Sequence, residues 1–171
     1  MKETLEGAFL AHAAMLQRLA FTYVKNRELA EDIVQDVFAK ALEQEGAFRR
    51  QSSYKTYLTR MTINRCYDML RSWSYRSQQL MTLFHLETPE WKALQKDERA
   101  QIMKAIFQLK PYYREVLVLY YYNNWNTREI AELLCIPEAT IRTRLIRAKE
   151  LLKKKLQGKG VRLDEEDKGK H

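Results

Sequence analysis

Two places in the chain set carboxylates close enough to act together. Asp32 and Asp36 stand four residues apart, and Glu129 and Glu132 three apart, spacings that put both members on one helix face. Paired carboxylates can do general acid–base work. Here no glycine-rich phosphate cradle, nucleophile motif or pocket-forming loop accompanies them, so an enzyme is not the expected reading. Metal chemistry fares no better. His12, His85 and His171 are isolated, and Cys66 and Cys135 lie far apart without C-x-x-C spacing. No metal site, cofactor or small-molecule substrate is expected, and so sparse a use of cysteine fits a reducing cytoplasm.

A second constellation points to recognition. Residues 127–134 form a short amphipathic helix with Ile130, Ala131 and Leu134 inward, Cys135-Ile136-Pro137 makes a tight turn, and Glu138 opens another helix. On that helix Ile141, Leu145, Ala148 and Leu152 share one face. At about 100° per residue, Ala139, Thr143 and Ile146 fall on the opposite face, with Arg142 and Arg147 at its edges. This is the grammar of a helix-turn-helix. Arginine donates to phosphates or to guanine, while threonine and isoleucine reach base edges and thymine methyls. The plainer alternative is an amphipathic surface helix, which the preceding helix and turn argue against.

Elements elsewhere in the chain have to carry this reading head. In 171 residues glycine occurs five times and proline three, and few stretches alternate as strands do. Helix is the expected state. Residues 5–25 place Leu5, Phe9, Ala13, Leu16, Ala20 and Tyr23 at helical spacing. Residues 28–44 carry a continuous apolar face of Ala30, Ile33, Val34, Val37, Phe38, Ala41 and Leu42, with Gly46 as the expected C-cap. A third helix is predicted over 54–73. Residues 77–96 form a linker that is apolar for its kind, with Leu80, Met81, Leu83, Phe84, Leu86 and Trp91. Two readings stay open for it: packing on its own domains, or docking on a partner. A second helical block covers 97–157. Pro111 opens one of its helices, Val116, Leu117, Leu119 and Tyr120 fill its core, and Asn126 with Glu129 makes a capping-box start. Residues 158–171 read as a disordered tail. The expected fold is all-α, two small helical domains joined by a linker.

Charge is distributed unevenly. Residues 2–45 hold five basic and eight acidic side chains, residues 46–76 seven and one, residues 138–156 seven and two. Two basic segments behind an acidic front fit two polyanion contacts and a different partner at the N-terminal end; solvated helix faces are the bland alternative. The apolar run Val116 to Tyr122 is too short to span a bilayer, and no signal peptide is evident, which makes the cytoplasm the expected location.

The stretch Leu109-Lys110-Pro111-Tyr112-Tyr113-Arg114-Glu115-Val116-Leu117, then Glu129-Ile130-Ala131, then residues 140–148 resemble region 4 of bacterial RNA polymerase sigma factors of the extracytoplasmic-function type. Lys110 stands where that family usually has proline, and Cys135 where its turn usually has glycine. The resemblance implies −35 promoter contacts from Ala139, Thr140, Arg142, Thr143 and Ile146, with Arg128 and Arg147 on phosphates. In the N-terminal half, Ala30-Glu31-Asp32-Ile33-Val34-Gln35-Asp36-Val37-Phe38 resembles sigma region 2.2. Its outward residues Asp32, Gln35 and Asp36 form one acidic and amide patch, and the resemblance implies that they grip the clamp helices of the polymerase's largest subunit. Each of the three taken singly is also an ordinary solvated position.

Downstream, Tyr57-Leu58-Thr59-Arg60-Met61, Asn64 and Asp68-Met69-Leu70-Arg71 resemble the helix that reads and melts the −10 element. Phe48 and Asn64 match the pocket for a flipped base, beside Arg49 and Arg50, while Arg60, Arg65 and Arg71 would track phosphates. Arg50 replaces a common glycine, and Tyr57 is better read as core. The expected partners are core polymerase (its clamp helices and flap region), promoter DNA and an anti-sigma protein, commonly membrane-bound in this family. A stand-alone helix-turn-helix regulator explains residues 109–156 equally well, but leaves the acidic patch and the basic third helix without a role.

Overall fold

A computed structural model of the chain describes residues 4–44, 52–76 and 98–157. These hold seven α-helices and one π-helical segment, with no strand among the described residues. The chain divides into two compact units, Met1–Gln79 and Leu80–His171.

The first unit is a three-helix bundle: α1 (Leu5–Val24), α2 (Arg27–Glu43) and α3 (Tyr54–Arg76). Each helix packs on the other two. The Thr4 hydroxyl caps α1 by accepting from the Gly7 amide at 3.1 Å, and the Asn26 side chain caps α2 by accepting from the Leu29 amide at 2.9 Å. Such caps satisfy amides that a helix start leaves without partners. Lys25, in left-handed backbone at φ 54°, turns the chain between the two helices.

Leu16, Leu19, Ile33, Val34, Leu58 and Ile63 form the centre of this core. Phe9 of α1 stacks on Phe38 of α2 with ring centroids 4.0 Å apart, and Tyr23 meets Tyr67 edge-on at 5.6 Å. Two threonines, Thr59 and Thr62, are buried in α3 without penalty. Their hydroxyls donate to the carbonyls of Lys55 and Leu58 one turn back, at 2.7 and 2.8 Å, so both bring their own partners into the core. Leu42, expected on the inward face of α2, is instead exposed near the helix end. The expected cap Gly46 lies outside the described residues.

The second unit comprises α4 (Glu98–Phe107), α5 (Pro111–Leu117), a π-helical segment (Val118–Tyr122), α6 (Thr127–Leu134) and α7 (Glu138–Leu156). Helix α7 is the hub, packing against α4, α5 and α6. Pro111 begins α5, where its missing N–H costs nothing. Arg114 and Glu115 are 5% and 2% exposed. The Arg114 guanidinium donates to the Phe107 carbonyl at 3.1 Å and lies 5.8 Å from the Phe107 ring centre, tying α5 to the last turn of α4.

Through Val118–Tyr122 the backbone widens, and the Asn123 amide donates five residues back to Val118 at 3.1 Å. Asn123 ends the segment, and Asn124 follows in left-handed backbone at φ 55°. Tyr120, expected in the core, is half-buried, while Val118 is fully buried in its place. Helix α6 opens on a complete capping box: the Asn126 side chain accepts from the Glu129 amide at 2.9 Å, and the Glu129 carboxylate accepts from the Asn126 amide at 2.8 Å. Its inward residues are Ile130 and Leu133, whereas Ala131 and Leu134 are half-buried.

Candidate nucleic-acid interface

Helix α7 sorts its residues cleanly by face. Ile141, Leu145, Ala148, Leu152 and Leu156 are buried. Ala139, Arg142, Thr143, Ile146 and Arg147 are exposed, and Thr140 is half-buried. Ile146, an apolar side chain, is 61% exposed in the middle of the outward face. The helix's other mid-length cations turn away from that face: Arg144 lies over the Tyr112 ring at 5.4 Å and Lys149 over Tyr121 at 5.5 Å. Cation–π seating of this kind also covers part of each ring.

Each outward arginine has an acidic neighbour on its own helix. Arg142 meets Glu138 at 2.8 Å, Arg147 meets Glu150 at 3.2 Å, and Arg128 on α6 meets Glu132 at 3.4 Å. The Arg147 and Arg128 pairs, exposed on both sides, are weak and yield readily to a polyanion. The Thr143 hydroxyl donates to the Ala139 carbonyl at 2.9 Å, keeping its methyl and remaining lone pair available.

Glu138 is a residue the sequence singled out only as the start of a helix. Its Oε1 accepts from the Thr127 hydroxyl at 2.7 Å as well as from Arg142, bridging the first residues of α6 and α7. The Thr127 hydrogen bond, then the Arg142 hydrogen bond and charge, with Arg128 adding a smaller attraction, hold its carboxyl below the usual range. The spacing of Glu138 and Arg142 was a readable signal; the Thr127 link was not. Cys135 makes the turn between α6 and α7 in left-handed backbone at φ 55°, with its thiol exposed.

In the first unit Asp32, Gln35 and Asp36 are all exposed on α2, opposite Ile33, Val34 and Val37. On α3, Arg60, Asn64 and Arg71 are exposed and fall within about 40° of one another at about 100° per residue. They make one outward stripe. Arg65 lies about 140° around the helix from Arg60 by the same count and turns toward α2, where its Nη2 donates to Asp36 Oδ2 at 2.8 Å. Two residues predicted for different surfaces therefore touch. Arg71 has Asp68 at 3.8 Å. Tyr57 is half-buried, and burial pushes its hydroxyl up. Phe48, Arg49 and Arg50 lie outside the described residues, as do the expected linker and tail.

Among the described residues no helix is long and apolar enough to cross a membrane. The sequence matches the sigma-70 region 2 family over residues 8–74 and the sigma-70 region 4 family over residues 99–152. Among its relatives is RNA polymerase sigma factor SigV of Bacillus subtilis, 29% identical over 155 residues that cover 89% of this chain and 90% of the relative. The RNA polymerase sigma-H factor of Pseudomonas aeruginosa is 28% identical, covering 91% and 88%. ECF RNA polymerase sigma factor SigW of Bacillus subtilis is also 28% identical, covering 83% of each chain. The fold is shared with the sigma factor RpoE of Bartonella quintana, solved with the anti-sigma factor NepR, at TM-score 0.74 and 22% identity over 90% of this chain and 96% of that one. The chain belongs to the sigma-70 family, in its extracytoplasmic-function branch. It is a sigma factor, which binds core RNA polymerase and directs promoter-specific initiation of transcription.

Proposed function

We propose a division of labour along the chain. Residues 1–76 act as region 2, engaging core polymerase through Asp32, Gln35 and Asp36 and reading and opening the −10 element through the α3 stripe together with Phe48, Arg49 and Arg50. Residues 97–157 act as region 4, reading the −35 element through the outward face of α7. Residues 77–96 tether the two, and 158–171 form a tail. The chain contributes no catalysis of its own and works in the cytoplasm, where polymerase is. It is bound by an anti-sigma protein, as the Bartonella RpoE factor is by NepR.

The observation that carries this reading is the outward face of α7. An isoleucine left 61% exposed between Arg142, Thr143 and Arg147 is a poor solvent face and a good groove face, since it meets a thymine methyl where the arginines meet guanine or phosphate. The acidic patch on α2 adds a surface of opposite sign for a basic partner. Run-off transcription with purified core polymerase and a panel of genomic fragments tests it. Discrete, factor-dependent start sites are expected. Binding of duplex DNA without any polymerase-dependent transcript would identify a stand-alone regulator instead.

A further inference from the structure

We infer that Glu138 is a positioning residue that determines specificity, buttressing Arg142 so that it reads a guanine and not a phosphate; this rests on the assignment of Arg142 to the −35 groove. Three groups meet at the leading end of the helix-turn-helix. Glu138 Oε1 accepts from Thr127 Oγ1 at 2.7 Å and from Arg142 Nη2 at 2.8 Å. The first bond crosses the turn from α6, so the carboxylate is anchored to a second helix and does not simply follow Arg142. Glu138 is correspondingly the more buried partner, 35% exposed against 67% for Arg142.

That asymmetry defines what Arg142 can do. A guanidinium carries five N–H donors in a planar fork, and the contact to Glu138 engages one of its nitrogens. The rest of the fork is presented outward with its direction set before DNA arrives, which reduces the ordering cost of binding. A phosphate taken by the same guanidinium would sit beside the Glu138 carboxylate, anion against anion. The O6 and N7 acceptors of guanine carry no net charge and can share Arg142 with Glu138 free of that repulsion. Glu138 also stands in the first turn of α7, where the helix dipole favours an anion. The carboxylate therefore stays ionised and in place.

The test uses the full chain with core polymerase, measuring holoenzyme binding to promoters in which each −35 position carries each of the four bases. Arg142→Ala, Glu138→Gln and the double variant are compared with the parent, at two salt concentrations. The parent prefers guanine at one position. Glu138→Gln is expected to cut that preference about tenfold, leave the other positions unchanged, and bind mismatched promoters as tightly or more so. Its salt dependence should steepen, because the released Arg142 takes up a phosphate. In the Arg142→Ala background, Glu138→Gln should change no base preference.

A purely structural Glu138 gives a different pattern: Glu138→Gln weakens all promoters in parallel and lowers the melting temperature, and this overturns the inference. So does a guanine preference lost in Arg142→Ala but intact in Glu138→Gln. If Arg142→Ala itself keeps the preference, the groove assignment falls and takes the inference with it. Should Glu138→Gln not fold, Thr127→Val, which removes only the hydroxyl anchor, is expected to relax the same position and is read by the same criteria.

Discussion

Arg65 of α3 holds Asp36 of α2 with two hydrogen bonds to a single oxygen, from Nη2 at 2.8 Å and Nε at 3.2 Å. The two residues lie 29 apart in sequence and join the helix assigned to polymerase with the helix assigned to −10 DNA. Both side chains are substantially exposed, 39% and 57%, so the pair is worth roughly 0.2–1 kcal/mol. That is weak enough for a cation on polymerase or a phosphate on DNA to displace one partner. It also complicates any single substitution at Asp36, which disturbs Arg65 as well.

For the polymerase contact, the cleaner variant is therefore Gln35→Arg with Asp32→Arg, and Asp36→Arg is its companion. Both are expected to weaken binding to core polymerase by ~2 kcal/mol or more while helix content by circular dichroism stays constant. Asp36→Arg should lose additional stability by setting two cations side by side. Undiminished capture of core polymerase by the double variant would remove the α2 patch from the interface.

On α7, base readers and phosphate holders should separate experimentally. Arg142→Ala or Thr143→Ala is expected to change the preferred −35 sequence by ~1–3 kcal/mol at the contacted position. Arg147→Ala should weaken all promoters about equally and flatten the salt dependence. Binding measured across a −35 library at two salt concentrations distinguishes them.

Strand opening is proposed to depend on Asn64, exposed within the α3 stripe, and on Phe48. Extruding a base costs a few kcal/mol, which a preformed pocket returns, with aromatic stacking worth ~1–3 kcal/mol per base. Asn64→Ala and Phe48→Ala should both form closed complexes yet open them poorly, and a template pre-melted at −10 should restore initiation. Permanganate reactivity of the −10 thymines on duplex and bubble templates reads this directly. Normal opening by a stably folded Phe48→Ala protein would dismiss the pocket.

Cys135 offers a stability test. Its left-handed backbone at φ 55° costs a non-glycine residue ~1–2 kcal/mol, and its Sγ contact to the Glu132 carbonyl is long at 3.8 Å. Cys135→Gly is expected to raise the melting temperature of the second unit by several degrees, measured by thermal unfolding of the full chain. A fall would show that the thiol contributes more than the backbone strain removes.

Acid should act on the same end of the helix-turn-helix. Thr127 and Arg142, with Arg128 beyond them, lower the Glu138 carboxyl. The unfolded chain takes up this proton in the ordinary carboxylate range and the folded chain only at lower pH. The contribution of Glu138 is thus complete above the ordinary range and is lost as pH falls through the lowered folded value. Thermal melts at stepped pH should show a shallower acid slope for Glu138→Gln than for the parent. Identical slopes would mean that Thr127 and Arg142 do not hold the carboxylate in solution.

Local rules made much of this legible in advance. The capping residues Asn126 and Glu129 and the Cys135-Ile136-Pro137 turn placed the limits of α6 and the start of α7, because caps and turns act within four residues. The α7 stripe was readable because one face of that helix is wholly buried. What escaped was set by contacts between elements. Periodicity cannot announce that Arg65 crosses to Asp36, that Thr127 reaches Glu138, or that Arg114 is buried to bind the Phe107 carbonyl. Leu133 and Leu134 are adjacent leucines, and only the packing of α6 decided which went inward.

The wide turn at Val118–Tyr122 has a consequence for how this half of the protein can vary. A π-helical turn takes in more residues than the α-helical turn it replaces, and each residue of helix rotates the downstream chain by about 100°. Deleting one of the five would let the turn close to α-helix with the downstream direction nearly unchanged, whereas deleting a residue from α5 itself would swing Asn126, α6 and finally α7 around its axis. The inward leucines of α7 would then leave the core, and its outward arginines would point elsewhere. The widened turn at Val118–Tyr122 is thus where this half of the protein can change length at least cost, while the length of α5 is an angular setting for everything after it.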